Sequence, residues 1–557
     1  MASDSDKNQW LAVAFLLILG CLIYANTLSV PFYLDDYGNI VENPYVHLSS
    51  LKLKNILDAG FKSPCSNRPI ANISFALNYY IHQDRVWGYH IVNIAIHALT
   101  AVFFFLLTGM TLRISETRRP ATMTTAQPLG SFMISLSAAL LWLVHPIHTQ
   151  SVTYVVQRMN SMAAMFYVMA FFFYVKGRLA KKNNARLWFG ACVLCGLLAI
   201  GSKEVAATLP FFILLYEWYF FQDLSKAWLK RYSLPILYAC LFFGLLVMAY
   251  LGKNPIQSVL SGYRIRDFSL TERVLTEFRV VVFYISLLLF PRASRFSLEH
   301  DFVVSHTLMN PPTTLVALGV MMGGVLLAIL PARKERLISF CILWFFGNLA
   351  IESSVIGLEI IFEHRTYMPS MFFVLLVVLV VSRMIKKKVV LLMVLCAVLL
   401  TCSYWTHKRN VLWGDPVAFW QDCVRKSEGQ DRSHYHLANA LREQDKLDGA
   451  LREYMKALRI NPRLAGAHFG AGRILWRIGR TEEAAGHYLA AVSLKPDYAE
   501  AHNNLGAIYY MKGDLNKAIE HYSKAVKIRP DFAEARYNLG LALRKTGRRR
   551  GRLTQSP

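Results

Sequence analysis

Apolar runs long enough to cross a lipid bilayer recur in this chain from Trp10 to Trp405 and then stop. A helix needs about 20 apolar residues to span roughly 30 Å of hydrocarbon. Every backbone polar group at that depth must find its partner inside the protein, which leaves helical bundles and closed barrels. Runs of this length select helices, so the chain is predicted to be all-α. A polytopic membrane bundle should occupy 1–405, with a linker over 406–430 and a soluble tail over 431–557. The mean hydropathy of +0.32, with 54% hydrophobic against 17% charged residues, agrees with a membrane protein.

Spans are predicted near 10–30, 88–112, 130–150, 158–176, 187–202, 204–221, 233–252, 313–331, 336–361, 366–384 and 389–405. The first run follows MASDSDKNQ, which carries one lysine and leads to no A-x-A-like cleavage site. It therefore reads as a retained helix and not as a cleaved signal. The net charge of +25 does not point to nucleic acid, because the basic residues gather in short loops between apolar runs. Those clusters are Arg113, Arg118 and Arg119; Lys176, Arg178, Lys181, Lys182 and Arg186; Lys226, Lys230 and Arg231; Arg333, Lys334 and Arg336; and Arg383 with the lysines at 386–388. With the N-terminus cytoplasmic, all five fall on the cytoplasmic side, as the positive-inside rule requires. This holds only if the run 271–290 does not cross. Its early Glu272, Arg273, Glu277 and Arg279 suit a re-entrant or interfacial helix on the outer side. Eleven crossings then leave the tail outside.

The outer side collects the chemistry: two large loops at 31–87 and 252–312, and the motifs LDDYGN, NRPI, HPIHTQ, GSKE and FEHRTYMPS. Ionisable residues at membrane depth are costly and usually face a cavity or a partner. Pro31 should end the first helix and leave Asp35 and Asp36 on a non-helical turn. There they are either a general base with its positioning neighbour or an Asx-type turn. Glu363 is the rival base. Arg158, Lys203, Arg365 and Arg68 could hold a phosphate, with Glu204, His364, His145 and His148 beside them; singly, each such cation is more often a snorkelling interface residue. HPIHTQ spaces His145 and His148 by three, compatible with a divalent metal but also with polar helix-end contacts. Seven of nine cysteines lie in apolar runs, so CVLC at 192–195 reads as packing. Asn72-Ile73-Ser74 is an N-glycosylation sequon.

In the tail, Pro462, Pro496 and Pro530 stand 34 residues apart, the tetratricopeptide (TPR) period. Repeats are predicted over about 431–464, 465–498 and 499–532, with a half repeat at 533–547. Gly472, Ala484, Leu505, Gly506, Tyr509, Ala518, Tyr522 and Ala525 fit the small and large positions by which paired helices pack. Three repeats form a short solenoid with a concave face, suited to a peptide or partner protein or serving as a spacer.

LDDYGNI, RPIANISFALNY, WGYHIVNIAIHALTA, HPIHTQSVTYVVQRMN, SKE and EHRTYMPS, in this order and followed by TPRs, resemble the transmembrane-and-tetratricopeptide-repeat (TMTC) family. The resemblance covers nearly the whole chain. It implies a GT-C-type protein O-mannosyltransferase with a polyprenyl-phosphate sugar as donor and an exported protein as acceptor. It also implies that Asp35 or Asp36 deprotonates the acceptor hydroxyl, and that 271–290 is the family's outer hydrophobic segment. The chain departs from animal members in having fewer TPRs and EHRTY in place of a pattern nearer ERVLY. This compact form reads as prokaryotic, with the tail periplasmic or extracellular. The rival expectations are transfer to envelope lipid or polysaccharide, a membrane-anchored TPR scaffold without catalysis, and a transporter.

Overall fold

The computed structural model describes residues 4–117, 128–252, 254–264 and 266–553; Arg118 and Arg119 of the first basic loop lie outside them. Among the described residues there is no strand. The chain divides into two compact units, one of residues 1–298 and 302–414, the other of 415–557 with 299–301.

The first unit runs α1 Asp4–Tyr24, α2 Leu53–Lys62, α3 Pro69–His82, α4 Val86–Thr117, α5 Ser131–Leu143 and the short α6 Thr149–Thr153. It continues with α7 Arg158–Leu179, α8 Lys182–Ile200, α9 Leu209–Tyr216, α10 Lys226–Arg231, α11 Ser233–Leu251 and α12 Pro255–Ser261. Then come α13 Leu270–Leu289, α14 Thr313–Ile329, α15 Arg336–Leu349, α16 Ser370–Met384 and α17 Lys388–Trp413. Helical structure stands at every predicted span. Lys7–Thr27, Val86–Thr117, Val155–Leu179, Glu204–Phe221 and Lys388–Trp413 are individually long and apolar enough to cross a membrane, and α5 with the following Pro146–Thr153, bent by 47°, makes a sixth. The bend follows from Pro146, which cannot continue a helix. The apolar helices Asn184–Ile200, Thr313–Ile329, Arg336–Leu349 and Ser370–Met384 are shorter.

Three segments differ from the sequence reading. α1 ends at Tyr24 and a 3-10 turn at Ala25–Thr27 follows, several residues before Pro31. The Thr27 hydroxyl turns back onto the Tyr24 carbonyl at 2.7 Å, which satisfies a helix-end acceptor without proline. The run 336–361 is helical only to Leu349, and α16 does not begin until Ser370. The intervening carbonyls are freed because Arg273 takes them: its buried guanidinium donates to the carbonyls of Glu352, Ser354, Leu358 and Glu359 at 2.6 to 3.2 Å. Non-helical backbone survives at such depth when protein groups replace the lost ladder. Finally, α17 extends to Trp413, and α18 Pro416–Lys426 occupies much of the expected linker. Asp415 caps α18 by accepting from the Val417 and Ala418 N–H groups, with Pro416 at the first helical position.

In the second unit α18 is followed by three antiparallel helix pairs and a last helix: α19 Asp431–Glu443 with α20 Leu447–Ile460, α21 Ala465–Arg477 with α22 Thr481–Leu494, α23 Ala499–Met511 with α24 Leu515–Ile528, and α25 Ala533–Leu553. The small residues work by close approach. A Cβ on Gly472 would stand 2.8 Å from the Tyr488 ring, and one on Gly506 2.7 Å from the Tyr522 ring. Ala484, Leu505, Ala518, Tyr522 and Ala525 are buried, and half-buried Tyr509 stacks on His521 at 5.5 Å.

Candidate active site

The aspartate pair opens a helical turn, not the irregular one predicted. Leu34 adopts φ +38°, a left-handed conformation uncommon outside glycine. It reverses the chain so that Asp36 enters a π-helical turn over Tyr37–Val41. Neighbours on a helical turn point about 100° apart, and that divergence separates the two carboxylates. Asp36 is wholly buried, and its two oxygens accept from the backbone N–H of Tyr33 at 2.9 Å and of Val156 at 2.6 Å. Asp35 is exposed, and its own N–H donates to the Tyr154 hydroxyl at 2.9 Å. Burial pushes the Asp36 carboxyl up to about 8, opposed by the two N–H donors.

Val156 and Tyr154 belong to a hub, made of the segment 154–157 that joins α6 to α7 and the first residues of α7. Within it, Arg158 is enclosed and donates only to neutral acceptors: Asn93 Oδ1 and Asn78 Oδ1 at 2.7 Å each, the Tyr89 carbonyl at 2.9 Å and the Ser74 carbonyl at 3.3 Å. It ties α3 and α4 to α7 instead of presenting a charge to a ligand. Asn160, two residues on, donates to the His364 carbonyl at 2.8 Å and accepts from Lys203 at 3.1 Å. Met159 places its sulfur 3.4 Å from Arg68.

The remaining predicted cations are held by carboxylates. Lys203 pairs with Glu352 at 2.7 Å, both buried. Arg365 lies 3.8 Å from Glu277 and donates to the carbonyls of Ile360 and Glu359. Glu277 pairs with Arg273 at 3.0 Å. Glu363 is buried, pairs with Arg409 at 2.8 Å and accepts from the Ser297 N–H at 2.7 Å, a position that suits loop support better than proton abstraction. His364 is buried and stacks on Phe362, its ring centroid 5.1 Å away. Arg68 and Glu204 differ from these: they pair at 3.1 Å with 27% and 28% of their side chains exposed. The Cys65 thiol is pushed up by burial and senses the charges of Arg68, Glu204 and Asp35.

The rings of His145 and His148 lie 5.9 Å apart, but both His145 nitrogens are taken by backbone groups. His145 Nε2 donates to the Leu288 carbonyl at 3.1 Å, whereas His148 sits among Trp142, His97 and Tyr367, with centroids 4.7 to 5.8 Å away. Among the described residues no three His, Cys, Asp or Glu side chains are grouped to hold a metal ion. The sequon asparagine is likewise engaged: Asn72 is buried and donates to the carbonyls of Gly60 at 3.1 Å and Cys65 at 2.8 Å. Glu352 and Arg409 were not singled out from the sequence. The available signal was charge at the end of an apolar run, a lone Glu352 in AIESS and the basic cluster in WTHKRN.

The TPR repeat family model matches residues 438–479, 472–513 and 507–547. Protein O-mannosyl-transferase TMTC3 of Homo sapiens is 25% identical over 536 residues, covering 87% of this chain and 54% of its own length. Tmtc3 of Drosophila melanogaster is 24% identical over 554 residues, covering 87% and 58%. TMTC2 of Mus musculus is 29% identical over 232 residues, covering 40% and 25%. Among solved structures, the crystal structure of MamA protein is 23% identical with a TM-score of 0.23, over 25% of this chain and 75% of that one. The chain thus spans about half the length of the curated TMTC3 relatives it matches. In the order of its outer motifs, its TPR tail and a sequence similarity that runs across most of its length, the chain resembles the transmembrane-and-tetratricopeptide-repeat (TMTC) O-mannosyl-transferases.

Proposed function

We propose that this protein is a membrane glycosyltransferase that moves a hexose, mannose or a close relative, from a polyprenyl phosphate to Ser/Thr hydroxyls of exported proteins. The observation that carries this reading is the division of labour in the aspartate pair, exposed Asp35 beside anchored Asp36. Asp35 takes the proton of the acceptor hydroxyl as general base. The hydroxyl oxygen forms a bond to the sugar C1 as the bond from C1 to the phosphate oxygen breaks, with inversion. The polyprenyl phosphate departs as an anion. Asp36 is a positioning residue that fixes the turn through Tyr33 and Val156. Arg68, paired with Glu204 and still partly exposed, is the leading contact for the phosphate. The buried pairs at Lys203 and Arg365 hold the surrounding loops.

The relatives' name, protein O-mannosyl-transferase, supports the reaction class, and the TPR solenoid suits an extended peptide acceptor or a partner. The basic loops between the apolar runs face the cytoplasm in this reading, which puts the candidate site and the TPRs on the outer side of the membrane. The test is reconstitution with a radiolabelled polyprenyl-phosphate hexose and an extract of exported proteins. Label in protein, released by β-elimination, supports the reading. Label only in envelope lipid or polysaccharide would replace the acceptor, and no transfer from any polyprenyl-phosphate hexose would overturn the reading.

A further inference from the structure

A second feature lies at the far end of the same helices. The α4 residue Tyr89 holds Arg158 through its carbonyl, and Arg113 stands 24 residues further along α4, a helical rise of about 36 Å. There the last turns of α4 and α7 and the start of α8 line an open cavity of about 540 Å³. Its walls are apolar, with Met110, Ile114, Leu179 and Trp188, and its rim carries Arg113 and Lys176. Both cations are exposed, and among the described residues neither has a carboxylate partner. Nearby Arg178 shows the contrast. It is paired with Glu217 at 2.8 Å, which also accepts from the Tyr174 hydroxyl at 2.6 Å. The fold therefore neutralises one cation at this end and leaves two open over an apolar hollow. The first turn of α8 adds exposed Lys182 and Arg186 to the same end.

An apolar cavity under an uncompensated cationic rim matches an amphiphile with a compact anionic head. A soluble anion would gain nothing from the hydrocarbon walls, and a neutral lipid nothing from the rim. We propose that this cavity binds one anionic glycerophospholipid, its phosphodiester on Arg113 and Lys176 and an acyl chain along Met110, Ile114, Leu179 and Trp188. Basic pockets between membrane helices bind such headgroups elsewhere. The site is separate from the candidate active site and does not depend on the reading of that site.

The test uses the full chain in neutral detergent, titrated with phosphatidylglycerol or phosphatidylcholine and read by native mass spectrometry and by melting temperature. Phosphatidylglycerol should stay bound as a one-to-one adduct and raise the melting temperature, while phosphatidylcholine does neither. R113A/K176A should weaken phosphatidylglycerol roughly 30-fold, and R113K/K176R should restore it, which separates lost charge from misfolding. K456A/R459A, far along the chain in α20, should leave binding unchanged. Equal retention of both lipids, or undiminished binding by the double alanine variant, would overturn the proposal. So would displacement of the phospholipid by inorganic phosphate.

Discussion

At the residue scale, two buried arrangements make separable predictions. Asp36 accepts two backbone N–H bonds, and an Asn amide cannot accept at both ends. D36N should therefore cost about 1–3 kcal/mol, measured as lost thermal stability in detergent, and should lower activity by displacing Asp35. Burial holds the folded Asp36 carboxyl near 8, above its ordinary value of 3.8. The folded protein then binds more protons than the unfolded chain between about pH 4 and 8, so this group's contribution to stability falls as pH rises through that window. D36N should remove that share of the slope when melting is compared at pH 5, 6.5 and 8. The pair of Lys203 and Glu352 makes the other test, because a buried charge that loses its partner is costly. K203M should destabilise by about 3–5 kcal/mol, and adding E352L should recover most of the loss. A single variant as stable as wild type would show that the pair is not buried as described.

At the element scale, the solenoid repeats its polar contacts as faithfully as its glycines. In the first repeat His434 Nδ1 meets Glu453 at 2.6 Å while Nε2 donates to the Glu428 carbonyl. Exactly one period later His468 Nδ1 faces His487 Nδ1 at 3.0 Å, and a further period on His502 faces His521 at 3.0 Å. In both, the first ring's Nε2 is engaged by a proline carbonyl, so its Nδ1 accepts and the partner donates. Two imidazoles share one proton in such a contact, and protonation of the accepting Nδ1 breaks it. Burial, the neighbouring histidine and nearby Lys524 lower His521 to about 4. Its folded value lies below the ordinary 6.5, so stability is full above pH 6.5 and declines as pH falls toward 4. H487E/H521E, which copies the first repeat, should flatten that decline when melting is followed from pH 7 to pH 4.5. Gly506 tests the packing itself: G506A drives a methyl into the Tyr522 ring and should cost about 1–3 kcal/mol in melting or chemical unfolding.

At the scale of the whole molecule, helices were legible because bilayer-length apolar runs and a 34-residue proline period are local patterns. Partners were not, because they come from distant sequence. Nothing in QRMN says that Arg158 will be surrounded by carbonyls and amides from α3 and α4, or that Arg273 will replace the helix ladder of 350–358. Arg68 keeps 27% of its side chain exposed, while Arg158, Lys203 and Arg365 are internal, a difference that their sequence neighbours do not show. The aspartate pair was misjudged for a related reason: a left-handed Leu34 lets a helical turn form where Pro31 suggested none. The central claim is that Asp35 acts as the base and Asp36 as its support. It is tested most directly by measuring hexose transfer to a peptide acceptor by D35N, D36N and wild type at matched folding. The account predicts that D35N melts like wild type yet transfers about 10²–10⁴-fold more slowly, whereas D36N loses stability and activity together. Wild-type transfer by D35N would contradict it.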